Sequence, residues 1–406
     1  MKLQPLQKDK WADFLDRAVE YSLYGLILFM PISKSAIEIF FGLAFLFFLA
    51  RKILKPDFKF LKTPYHIFLL LFFVFSGLSL FNSGPYLYKS LRALLSKWLE
   101  WILIFLMAED TLSSPARIRN AVVVLLSVSL FIAIDGLSQR FLDMEFFLRR
   151  GMVWINQGFY GMTASFEHYN SFGTYLSFVL LLTVALLLSG RLKRVYRLGL
   201  FFILVLSGIC ILLTFSRGSW FGFLAGLAVM LALSPRRRAV FSITALFIIL
   251  LITLPTVRER ALFIFQGFGT SERFVILEVC WKMIKENPFL GKGVGTFMDY
   301  CSLYTAGSVV KYAHNCYLQI IAETGIFALA SFLMFLGIAL YQSIKSLREN
   351  FDCLLLGLLS AIFGFLVQSF FDVQLYSLQL SALFWFFIGA MSSLNKLKRT
   401  GGISKS

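Results

Sequence analysis

Several long stretches of this chain carry no charge at all. Ile67–Phe81, Ser177–Ser189, Leu198–Phe215, Ala239–Leu254, Phe327–Leu340 and Leu375–Leu394 are strongly apolar and hold almost nothing ionisable. An apolar run of roughly 20 residues spans a bilayer as a helix, because inside hydrocarbon every backbone polar group must be satisfied within the segment itself. The whole chain of 406 residues is 58% hydrophobic and only 15% charged, which excludes an ordinary soluble domain. It reads as an all-α polytopic membrane protein. The hydropathy criterion gives about 12 transmembrane helices, over 20–33, 36–50, 65–81, 92–108, 118–135, 168–189, 197–214, 219–233, 239–255, 315–341, 353–371 and 375–394. Pro31 ends the first, and the first two are short, which suits a shallow hairpin.

The net charge is +17, and the basic residues alternate along the chain. With the N-terminus in the cytoplasm, inside segments collect Arg17, Arg51, Lys52, Lys55, Lys59, Lys62, Arg117, Arg119, Arg191, Lys193, Arg194, Arg197, Arg236, Arg237, Arg238, Lys345, Arg348, Lys396, Lys398 and Arg399. The positive-inside rule places both termini in the cytoplasm. Attraction of these loops to anionic membrane lipids accounts for most of the excess charge. The basic runs are short and flank spans, so no nucleic-acid partner is indicated. The first 20 residues are charged and lack a cleavage pattern, so no signal peptide is expected. Five scattered cysteines (210, 280, 301, 316, 353) make no Cys-x-x-Cys pair, which argues against zinc. Cys280, Cys301 and Cys316 could lie on the outer, oxidising side, where pairing is chemically allowed but cannot be read from spacing; the preferred reading is free and mostly buried thiols.

The chain reads as a single integral membrane domain over 1–406. Residues 1–165 form scaffold spans, with an outer loop from 136 that includes Arg149 and Arg150. Residues 166–394 form a second region that contains the longest outer segment, 256–314, between spans 9 and 10. Within it Ser271 suits a helix N-cap. Phe274, Leu277, Trp281 and Ile284 recur at helical spacing opposite Glu278, Lys282 and Lys285, which reads as an amphipathic helix on the outer face. Asn287-Pro288 stops it. Gly291-Lys-Gly-Val-Gly295 lacks the preceding strand and full spacing of a dinucleotide loop and reads as a flexible turn near a substrate.

Polar residues that could carry chemistry gather at the outer ends of spans, where an ionisable group is a functional candidate. His314 directly precedes a long span. The positive end of the helix disfavours imidazolium there, and a neutral imidazole can act as general base; an interfacial histidine facing headgroups is the competing reading. Asn315, Gln319 and Glu323 follow at i, i+4 and i+8, one polar stripe on an apolar helix. Arg217 lies in a tight connection in which Gly218 allows the turn, Ser219 caps the next helix and Trp220 suits the interface. It is a ready anion ligand, as is Arg273 in the first turn of the amphipathic helix, with snorkelling to headgroups as the alternative. His168, beside Asn170, fits either packing or substrate contact, whereas His66, at an inner helix start, reads as structural. The absence of a carboxylate cluster or His-x-x-x-His disfavours metal-assisted transfer.

Three motifs, in this order, resemble the O-antigen ligase family within the wider O-antigen polymerase and ligase group. They are Thr-Phe-Ser-Arg-Gly-Ser-Trp at 214–220, Arg273 with Asn-Pro-Phe-Leu-Gly-Lys-Gly-Val-Gly-Thr-Phe at 287–297, and Ala-His-Asn-Cys-Tyr-Leu-Gln-Ile-Ile-Ala-Glu-Thr-Gly at 313–325. The similarity runs over about residues 160–390. It implies a GT-C-type glycosyltransferase fold in the bacterial inner membrane, with the active site facing the periplasm and no metal or other cofactor. It implies an undecaprenyl-diphosphate-linked glycan as donor and a lipid A-core sugar as acceptor. Carried over by residue, His314 would be the base and Arg217 and Arg273 the diphosphate ligands. Asn315, Tyr317, Gln319, Glu323, Asp372, His168 and Asn170 would support them. A growing glycan end (a polymerase) or a protein hydroxyl (an oligosaccharyltransferase) fits the same chemistry. A lipid-linked glycan transporter would instead show polar residues along several spans and repeat symmetry.

Overall fold

The computed structural model describes residues 5–57, 63, 65–144, 146, 151–155, 158–190, 192–266, 271–305 and 312–399, without the side chains of 5–6, 263–266 and 271–273. Arg149, Arg150, Lys59, Lys62 and Arg191 of the expected loops lie outside these residues. The chain runs α1 (Pro5–Phe29), α2 (Lys34–Leu54), α3 (His66–Leu78) and α4 (Leu87–Ala93). A π-helical turn, Leu94–Leu99, joins α4 to α5 (Glu100–Thr111), and α6 follows (Pro115–Phe141). A short hairpin of β1 (Val153–Ile155) and β2 (Phe159–Gly161) comes next, antiparallel with Trp154 opposite Tyr160. Then come α7 (Tyr169–Leu187), α8 (Arg194–Leu213), α9 (Arg217–Leu233), α10 (Arg237–Thr253) and α11 (Pro255–Gln266). The last elements are α12 (Ser271–Glu286), α13 (Phe297–Tyr304), α14 (Cys316–Glu349), α15 (Cys353–Gln368) and α16 (Leu378–Arg399).

Among the described residues, five helices (α6, α7, α8, α14 and α16) are long and apolar enough to cross a membrane, and α10 with α11 makes a sixth if that pair, bent by 89°, is one span. Three shorter apolar helices lie at expected spans 65–81, 219–233 and 353–371. The first two expected spans fall largely on two longer helices that are not among the candidate membrane-crossing helices of the described residues. These helices have 25 and 21 residues, about 37 and 31 Å at 1.5 Å per residue, and pack against each other. Their ends are charged, and Asp16 of α1 binds both Arg51 and Arg117. Among the described residues, the β1–β2 hairpin is the one element that is not helical.

Burial orders the bundle. Helix α16 is buried almost all round, between α5, α15 and α14, whereas α8 and α10 bury only one stripe, the pattern of peripheral helices facing lipid. An aromatic column of Phe72, Trp98, Trp101, Phe105, Phe332, Phe335 and Trp385 fills the centre with mostly edge-on contacts, the geometry such rings prefer. On the other side, α9 and α15 approach to backbone contact: a Cβ on Gly222 would lie 2.8 Å from the Gly364 carbonyl oxygen. Membrane helices use small residues in this way to gain van der Waals packing.

Helix α14 is broken once. Gly325 has φ 80° and ψ 176°, so a first segment from Cys316 stops there and a second continues to Glu349. The turn after α12 docks into this break. Lys292 N–H donates to the Ala322 carbonyl (3.1 Å), Gly293 N–H to the Glu323 carbonyl (2.8 Å), and Ile326 N–H to the Pro288 carbonyl (2.9 Å). A Cβ at Gly291 would lie 2.3 Å from the Glu323 carbonyl carbon, and one at Gly325 would lie 2.1 Å from the Phe289 oxygen. These glycines therefore permit interlocking backbones. They form a buttress, so the turn is held in place and not flexible.

Candidate active site at one end of the bundle

The N-terminal ends of α7, α9 and α14 and the link between α15 and α16 are tied together by hydrogen bonds. Each is held by a local device. Asn315 caps α14, accepting from Tyr317 N–H (2.9 Å) and Leu318 N–H (3.0 Å), and its amide donates to the Phe370 carbonyl (3.2 Å). Cys316 N–H donates to the Ser369 carbonyl (2.8 Å) and its thiol to the Asp372 carbonyl (3.3 Å). The start of α14 is thereby laced to residues 369–372. His314, just outside the cap, sits at φ 50°, a left-handed conformation that is costly for a non-glycine residue and is kept only where surroundings impose it.

From His314 a polar chain runs inward. Its Nδ1 lies 3.5 Å from Asp372 Oδ1, while the ring is 52% exposed. Asp372 also accepts from its neighbour Val373 N–H (2.8 Å) and, on Oδ2, from Asn170 Nδ2 (3.0 Å). The Ser216 hydroxyl donates to Asn170 Oδ1 (2.8 Å), the Ser219 hydroxyl to Ser216 (2.8 Å), and Gln368 Nε2 to Ser219 (2.9 Å) and to Thr174. Burial alone would raise the Asp372 carboxyl, but His314 and the Val373 N–H outweigh it and hold the group below the usual carboxylate range. It is an anion at neutral pH. His168 caps α7, its Nδ1 accepting the Asn170 N–H (3.2 Å), and its ring lies 4.1 Å from that of Tyr169. The residue is exposed, yet the protein near the ring pushes it below its ordinary value, despite the pull of Asp372.

The Arg217 turn differs in detail from the expectation. The residue with positive φ is Phe215 (54°), not Gly218. Ser216 stands at the N-cap and Ser219 donates to Ser216 instead of capping. Trp220 is 3% exposed and donates to the Ile211 carbonyl (2.9 Å), so it is a core residue and not an interfacial anchor. Gly218 makes room for Phe371, whose Cβ would meet a side chain there at 3.4 Å. Arg217 opens α9 directly after Ser216 and is partly buried. Sequence reasoning passed over a second guanidinium. Arg260, on α11, is 9% exposed; its Nε donates to the Phe215 carbonyl (3.4 Å), and it lies against the Tyr169 hydroxyl, where the charge of Arg217 is also felt. In sequence Arg260 is one of three charges in Arg258-Glu-Arg, indistinguishable from a solvated loop. The backbone of Arg273 lies in the first turn of α12, and its side chain is outside the described residues.

The remaining candidates brace. Tyr317 donates to the Leu366 carbonyl (2.8 Å) and packs on Phe370, holding α14 to α15. Gln319 accepts from Ala313 N–H (3.2 Å) and donates to Glu323 (3.1 Å). Glu323 is fully buried. It accepts from Gly295 N–H (2.9 Å), Phe297 N–H (3.2 Å), Gln319 and the Tyr376 hydroxyl (3.1 Å). Four donors satisfy its oxygens, as a buried carboxylate requires. Lys97, on the π-helical turn, lies 6.0 Å from the Tyr376 ring and adds a nearby cation. Among the described residues no group of three or more metal-ligating side chains forms.

The fold and these polar groups define a multi-pass helical membrane protein with a basic, imidazole-bearing site at one end. The O-antigen ligase family model matches residues 202–333, a stretch that holds Arg217, Arg260, Arg273, His314 and Glu323. The match supports assigning the chain to the O-antigen ligase family. No curated protein matches the chain at a significant level.

Proposed function

We propose that the chain is an O-antigen ligase that transfers a glycan from undecaprenyl diphosphate to a sugar hydroxyl of lipid A-core, with inversion and on a GT-C-type scaffold. The observation that carries the reading is the chain His314–Asp372–Asn170–Ser216, which ends beside Arg217. Asp372 faces Nδ1 of His314, so Nε2 is the nitrogen left for an acceptor hydroxyl. His314 takes the hydroxyl proton through Nε2, and Asp372 balances the positive charge that results. The acceptor oxygen attacks the anomeric carbon from the face opposite the diphosphate, and the carbon–oxygen bond to the lipid diphosphate breaks. Arg217 and Arg273 hold the diphosphate and stabilise the charge it gains on leaving. Positioning of two membrane-bound substrates at one helix-end pocket supplies much of the remaining acceleration.

The site faces the periplasm in this reading. The basic residues Arg51, Lys52, Arg117, Lys345, Lys396 and Lys398 cluster at helix ends away from His314, where they pair with Asp110, Asp16, Glu349, Glu109 and Asp352. The positive-inside rule makes that end cytoplasmic and puts both termini there, in the bacterial inner membrane. The test is complementation of a ligase-deficient Gram-negative strain. Capped lipopolysaccharide supports the proposal. Longer free glycan with uncapped lipid A-core would replace it with a polymerase, and glycan on protein with an oligosaccharyltransferase.

A further inference from the structure

The two helices that flank the glycine turn each bury one cysteine, and both side chains enter the same small core. Cys280 on α12 is 1% exposed and Cys301 on α13 is 0% exposed. They share a packed cluster with Ile276, Val279, Met283, Phe297 and Ala313, separate from the main core. Burial, and after it the neighbouring Cys301, push Cys280 up to about 12. The other cysteines are placed apart from them. Cys210 donates to the Ala133 carbonyl (3.4 Å) within the bundle, Cys316 is taken up by the Asp372 carbonyl, and Cys353 opens α15 at the opposite end.

We propose that Cys280 and Cys301 are joined as a disulfide in the mature protein. The inference rests on the orientation proposed above, which puts α12 and α13 in the periplasm, where disulfides persist. Both residues are thiols in the structure, as the sequence leads one to expect, and buried in an apolar core they would be inert once folded. The bond therefore forms while the outer segment folds. Each sulfur loses its proton, the sulfur–sulfur bond closes through a mixed disulfide, and the two electrons reduce a protein or small-molecule disulfide oxidant to two thiols. A slender satellite core is where such a bond adds most. It would close a loop around the buttress held by Glu323 and fix α12, which carries Arg273, against α13.

The experiment uses the full-length protein in membranes, acid-quenched, denatured in SDS and tagged with a polyethylene-glycol maleimide before or after reduction. Wild type should take three tags without reductant and five with it. Cys280→Ser and Cys301→Ser should each take four tags in both conditions, and reduction should lower the melting temperature of wild type by several degrees but leave the double serine variant unmoved. Five tags on unreduced wild type, or a peptide cross-link between any other two cysteines, would overturn the pairing. A Phe289→Cys reporter, probed on intact spheroplasts with a membrane-impermeant maleimide, separates the two proposals. Labelling together with five wild-type tags rejects the disulfide alone, whereas no labelling rejects the orientation on which it stands.

Discussion

The two ends of this bundle use the same side chains in opposite ways. At the end away from His314, charges close on one another. Glu109 is met by His66 Nε2 (2.8 Å), Lys396 (2.9 Å), the Tyr65 hydroxyl (2.8 Å) and Ser392, and Asp110 is met by Arg51 and by Lys52 (3.1 Å). His66 is 7% exposed and Glu109 fully buried. At the other end His314 is half exposed, leans on one carboxylate and holds a left-handed backbone. One histidine completes a staple between helices; the other pairs with a single carboxylate through Nδ1 and is half exposed. Burial and partner count, not residue type, separate the two imidazoles.

The widest separation of the two ends comes from alanine at each histidine. His314→Ala should slow transfer by roughly 10²–10⁴-fold, the usual worth of a positioned base, at unchanged membrane abundance and melting temperature; turnover near wild type would remove it from the mechanism. Arg217→Lys comes next, with a loss of about 10²-fold, because a point ammonium cannot reproduce the paired donors of a guanidinium at a leaving diphosphate. Asp372→Asn should cost roughly 10- to 100-fold, one charge-assisted hydrogen bond converted to a rate. The carboxyl of Asp372 is depressed in the fold, so its contribution is present above its unfolded value near ~3.9 and is lost only as pH falls through the lower folded value. The wild-type profile should therefore show no Asp372 limb between about pH 5 and 8.

His168→Gln sharpens the comparison within the site. Its surroundings lower the pKa of His168, which favours the uncharged ring, and the variant should change kcat only a few-fold and leave the acidic limb of the profile in place. A displaced limb would make His168 the titrating base. The smallest effect on chemistry belongs to His66→Ala. Turnover per folded molecule should be unchanged, while stability falls by about 1–3 kcal/mol, the cost of leaving a buried acceptor short of a partner, read as a lower melting temperature in detergent.

Much of the membrane architecture was legible because hydrocarbon imposes one rule on every span, and the apolar runs obey it. The breaks were not. Gly325 interrupts α14 inside a pattern that reads as one continuous helix, since its φ of 80° is imposed by the Phe289 backbone far away in the chain. The π-helical turn at Leu94–Leu99 sits unseen within an expected span. At the site, His314 and Arg217 stood out as polar residues at apolar boundaries, and Glu323 as a carboxylate deep in a span. Arg260 and Tyr376 did not: one hides among loop charges, the other in an apolar run, and only tertiary contact gives them partners.

The most direct measurement is a double-mutant cycle on His314 and Asp372, with kcat/KM determined for purified protein in proteoliposomes. If the carboxylate works through the imidazole, His314→Ala with Asp372→Asn should be no slower than His314→Ala alone. Losses that multiply would show two independent groups and contradict a single connected base.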